Sequence, residues 1–195
     1  MMRNFNIKFP LLVLVLLPGL AYAHVGVEHV SGWLAGIQHP FSGLDHLCAM
    51  VAVGLWARQT GGRTLWALPL TFVSVMALGG VLGMMAISLP FIEGGILLSL
   101  LILGFLVAFS IQLPLIASAA IVGMFALFHG YAHGAEMPHS ISGLVYALGF
   151  MLATLILHVM GIATASGLVK IGRPQWLRLT GALITMFGGT LYFVG

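Results

Sequence analysis

Long apolar runs separated by short polar interruptions make up most of the chain, with neither the two-residue alternation of strands nor the one-sided stripe of a surface helix. Crossing about 30 Å of hydrocarbon takes a helix of roughly 20 apolar residues. Segments at 43–58, 64–89, 94–111, 114–134, 140–166 and 176–194 are of about that length. Between them stand Arg58-Gln59-Thr60-Gly61-Gly62-Arg63, Pro90 with Glu93, Gln112-Leu113-Pro114, Glu136-Met137-Pro138, and the stretch from Lys170 to Pro174. The pattern predicts an all-α polytopic membrane protein with six transmembrane helices.

Two segments precede the first span. Arg3 and Lys8 lead into an apolar run from Phe9 to Leu20 that is too short to span, and Ala21-Tyr22-Ala23 is the small-x-small pattern that a signal peptidase reads. Residues 1–23 are therefore expected to be a cleaved signal peptide, with 24–195 a single transmembrane domain starting at His24. From His24 to Pro40 the chain is flecked with polar residues, and Trp33, Leu34 and Ile37 fall on one side of a short helix suited to the membrane surface.

Charge then orients the bundle. In the mature chain Lys and Arg occur only as Arg58 and Arg63 in the first loop and Lys170, Arg173 and Arg178 around the fifth. Basic loops stay cytoplasmic, and a cleaved signal starts the chain outside, so both arguments place loops one, three and five inside. The expectation is a bacterial inner (cytoplasmic) membrane protein with both termini periplasmic. Gly79, Gly80 and Gly83 include a small-xxx-small pair that lets helices approach closely.

Composition excludes the main soluble alternatives. Hydrophobic residues are 61% of 195 and charged ones 6%, with mean hydropathy +1.14, a balance that a water-solvated surface does not allow. A formal charge of +3 from so few basic residues makes no basic stripe, so no nucleic-acid partner is expected. One cysteine, Cys48, closes no intramolecular disulfide. The unusual feature is eight histidines against four carboxylates, because ionisable groups in lipid are costly and functional by default.

The histidines fall into two constellations. The first, His39-Pro40-Phe41-Ser42-Gly43-Leu44-Asp45-His46, opens span one; in a continuous helix His39 and His46 would lie two turns apart on one face, with Asp45 beside His46. Its bland reading makes Ser42 a helix N-cap with Asp45 at the third position. The second, Phe128-His129-Gly130-Tyr131-Ala132-His133-Gly134-Ala135-Glu136, closes span four, where His129 and His133 share a face that Glu136 extends. Imidazole and carboxylate together suit divalent first-row metals. The expected topology puts both constellations at the periplasmic face, and a carboxylate inside the bilayer calls for a partner such as a dication. His24, with Glu28, His29 and the new α-amino group, is a softer external candidate. Cys48 and Met50 could lend sulfur, His139 could continue the outer cluster, and His158, far along span five, reads equally as an exit ligand or a satisfied core histidine.

Through His39-x5-Asp45-His46 and Phe128-His129-Gly130-x-Ala132-His133-Gly134-x-Glu136, the mature chain resembles the HupE/UreJ family of bacterial membrane proteins. The resemblance implies secondary transport of Ni2+ or Co2+, with His39, Asp45, His46, His129, His133 and Glu136 as the metal path and with cytoplasmic metallochaperones of hydrogenase or urease as receivers. Zn2+ and Cu2+ suit the same ligand types. From other classes, an intramembrane zinc hydrolase also gathers histidines, an aspartate and a serine at one face, and a b-type haem protein places histidines on separate helices.

Overall fold

The computed structural model describes residues 32–137 and 142–194. The expected signal peptide and His24, Glu28, His29 and His139 lie outside them. The described residues form seven helices: α1 (Gly32–Ser42), α2 (Leu44–Thr60), α3 (Thr64–Met84), α4 (Ile92–Ala108), α5 (Leu115–Ala135), α6 (Gly143–Lys170) and α7 (Pro174–Val194). Each of the six expected segments holds one helix, α2 to α7, and α1 is the expected short helix. By length and composition α3, α5 and α6 are each sufficient to cross a membrane, and α1 and α2 taken together make a fourth candidate, bent by 84°. The apolar α4 is shorter.

The bend separates residues that a continuous helix would have aligned. Gly43 takes an extended conformation, φ −104° and ψ 118°, and ends the helical path after Pro40 has removed a backbone donor from the last turn of α1. His39 and His46 therefore stand on different helices rather than two turns apart on one. The Ser42 cap is not formed either. Gly43 is the N-cap of α2, and the Ser42 hydroxyl donates backward to the His39 carbonyl at 2.6 Å.

Large apolar side chains such as Leu70, Leu78, Ile116, Leu144 and Leu183 face outward, as a chain solvated by lipid permits. The interior is filled by Trp56, Phe72, Phe125, Tyr146 and Phe150. The closest helix pairs are α3 with α5, α4 with α7, and α6 with both α1 and α2. Glycine makes these approaches close. Gly130 and Gly134 lie against the carbonyls of Met76 and Gly80, while Gly79 and Gly83 lie against those of Leu127 and Tyr131, where any Cβ would strike backbone.

The two ends of the bundle differ. At one end Trp56 Nε1 donates to the Ile111 carbonyl (2.8 Å), Gln59 to Val107 and Ser110 (3.0 and 2.9 Å), Arg58 to Ser166 (2.9 Å) and Arg178 to the Ala108 carbonyl (2.9 Å). Three of these bonds satisfy carbonyls at or just beyond the end of α4, and together they tie α2, α4, α6 and α7. At the opposite end, here called the mouth, Asp45, Glu93 and Glu136 line one cavity.

Candidate metal centre

On α5 the four-residue spacing puts His129 and His133 on one face, and the glycine after each lies on the neighbouring face pressed into α3. That docking fixes the direction of both imidazoles, which are fully buried. Facing them from α2 is His46, with ring centroids 4.8 Å from His129 and 4.8 Å from His133, edge to face in both cases. His39 of α1 completes the series at 4.7 Å from His133, and its Nε2 lies 3.1 Å from Glu136 Oε2. The result is a ladder that runs from Glu136 through His39, His133 and His46 to His129. Its outer part borders a cavity of about 220 Å³ lined by His39, Ser42, Gly43, Asp45, His46, Glu93 and Glu136.

Hydrogen bonds decide which nitrogens remain free. Asp45, in the first turn of α2, accepts the His46 backbone N–H at 2.8 Å and lies 3.1 Å from Nδ1 of the same ring. A carboxylate at Nδ1 keeps the proton there and leaves the lone pair on Nε2. That Nε2 is buried without a hydrogen-bond partner. Ser99 of α4 acts likewise on His129. Its one hydroxyl proton goes to the Ile96 carbonyl at 2.6 Å, so at 3.0 Å from His129 Nε2 the oxygen accepts, and the lone pair falls on Nδ1. His129 Nδ1 and both nitrogens of His133 also have no hydrogen-bond partner. Among the described residues, no three His, Cys, Asp or Glu side chains converge as a ready coordination shell. The donors are stacked as a file of rings.

The chain matches the family description "HupE / UreJ protein" over residues 12–191. It is 48% identical over 177 residues to Protein HupE of Rhizobium leguminosarum bv. viciae, covering 90% of this chain and 91% of that protein. No solved structure matches it. The chain belongs to the HupE/UreJ family. Members of HupE/UreJ are implicated in nickel and cobalt uptake, and membership lends no support to an intramembrane hydrolase.

Within this HupE/UreJ chain, α3, α4 and α6 are the main neighbours of α2, and His46 is in ring contact with His129 and His133 of α5. Three contributors escaped the sequence reading. Glu93, in the first turn of α4, lines the cavity, and its place in the polar break before span three, on the same expected side as Glu136, was the available clue. Ser99 and Phe72 lie within apolar runs with nothing local to mark them, yet Phe72 is in ring contact with His129 at 5.6 Å. A larger depression of about 410 Å³ lies nearby, but its lining, which includes Gly83, Met84, Tyr131 and Met137, has no histidine or carboxylate.

Proposed function

We propose that this chain is a secondary permease that takes up Ni2+ or Co2+ across the bacterial inner membrane, receiving the ion at the ladder between α1, α2 and α5. In this reading residues 1–23 are removed as a signal peptide, α2 to α7 are six spans, and the mouth faces the periplasm. The observation that supports it is the continuous file of Glu136, His39, His133, His46 and His129, with Asp45 holding one ring and several lone pairs unengaged.

Asp45 and Glu136 attract the hydrated dication and offset its charge as water is lost. The four imidazoles then take it inward, His46 through Nε2 and His129 through Nδ1. Because the donors come from separate helices, a small movement opens the shell, and an ion that must leave again needs that freedom. His24 is assigned as an outer ligand, and metallochaperones serving hydrogenase or urease as the acceptors inside. Zn2+ and Cu2+ are tested as competitors because their ligand preferences overlap.

The test is uptake of each ion separately in cells that lack their other importers and express this chain. Nickel or cobalt accumulation above the vector control is expected, and loss of it in His46→Ala. If none of the ions enters faster than in the control, the reading is wrong.

A further inference from the structure

Beneath the mouth, a second group of donors is buried between α2, α3 and α6. His158, halfway along α6, is fully buried, and neither of its ring nitrogens has a hydrogen-bond partner. One turn toward the mouth on the same face, the buried Thr154 hydroxyl lies 3.3 Å from the sulfur of Met50 and 3.6 Å from that of Met76. The Phe72 ring touches both levels, with its centroid 5.6 Å from His129 and 5.1 Å from His158.

We propose that His158, Met50 and Met76, with the Thr154 hydroxyl between the two sulfurs, form a second ion-binding position in the middle of the bundle, divided from the mouth ladder by the Phe72 ring. The inference rests on the transport reading and extends it inward. Methionine often fills core gaps without further purpose, but a packing role does not account for His158. A phenylalanine or leucine would occupy similar space without leaving two nitrogens unpaired.

The donors also differ in kind from those at the mouth. Asp45, Glu93 and Glu136 all border the outer cavity, whereas the deep group offers only neutral nitrogen, sulfur and hydroxyl oxygen. Imidazole and thioether suit a borderline divalent ion that has already shed water. Without a carboxylate they hold it in a shallower well, as onward movement requires. Rotation of Phe72 would join the two positions.

The test uses the full chain purified in detergent, with Ni2+ as probe, followed by equilibrium dialysis and nickel-edge X-ray absorption. Wild type is expected to bind more than one nickel and to show a sulfur shell. His158→Phe should lose one equivalent, and Met50→Leu/Met76→Leu, which conserves volume, should lose the sulfur shell while keeping the mouth ion. Nickel uptake by either variant should fall at least about ten-fold, the loss corresponding to about 1.4 kcal/mol. Absence of sulfur around nickel in wild type, or full binding and uptake by His158→Phe, overturns the second position alone. No nickel bound by wild type at all would overturn the transport reading with it.

Discussion

His39 and His133 come from helices far apart in the chain, yet their rings meet edge to face with centroids 4.7 Å apart. What brings them together is the seat of α1 on α6, where Gly36 lies against the Tyr146 carbonyl and Gly149 against that of Trp33. A side chain at either glycine would lift α1 and carry His39 away from His133. Gly149→Val, which changes no donor, is therefore expected to reduce nickel uptake at least about ten-fold and to cost about 1–3 kcal/mol of stability by overpacking. Uptake assays beside thermal unfolding of the detergent-purified protein check this. Wild-type uptake in a well-expressed variant would show that the seat of α1 does not matter to the path.

His46 touches both α5 histidines, so the ladder is interrupted if either His46 or His129 is removed. His46→Ala and His129→Ala should each abolish uptake while expression stays intact. Since they act on one path, the double variant should be no worse than either single one. Substantial transport by either single variant would rule out an obligatory passage through that ring.

Ser99 does not face the cavity; it sets the His129 tautomer by accepting from Nε2–H. Ser99→Ala removes that constraint and leaves a buried N–H unsatisfied. A ten- to hundred-fold weaker apparent nickel affinity is expected, within the range of about 10–100-fold for partners behind a ligand, with recovery in Ser99→Thr. Equal affinity in Ser99→Ala and wild type would remove Ser99 from the site.

Protons compete with the ion for every imidazole lone pair. A protonated ring cannot ligate, so uptake should fall as the medium is acidified and rise as pH is increased. With several histidines along one path, the rise should be steeper than a single ionisation gives. Initial nickel uptake rates measured at a fixed membrane potential test the sign; a flat profile, or one falling with pH, contradicts imidazole ligation.

What the sequence by itself determined follows from local rules. Run length and hydropathy set the all-α class and the approximate positions of α2 to α7, because a helix satisfies its own backbone in lipid without help from neighbours. The spacing of His129 and His133 guaranteed a shared face, since helical periodicity needs no tertiary information. Asp45 and His46 are neighbours simply because they are consecutive in the chain.

Only the tertiary structure decided which faces meet. The turn at Gly43 moved His39 off the helix of His46, and the glycine seats of α5 on α3 and of α1 on α6 set the rotations that bring four rings into one file. Ser99, Phe72 and Met76 were invisible in the chain because each looks like ordinary apolar-helix filling until its neighbour is known, while His158 and Met50 were visible as donors without any sign of what they face. Helix docking in a bilayer depends on close van der Waals fit and on where small residues fall on opposing surfaces. A one-dimensional pattern of apolar residues marks those surfaces but does not pair them.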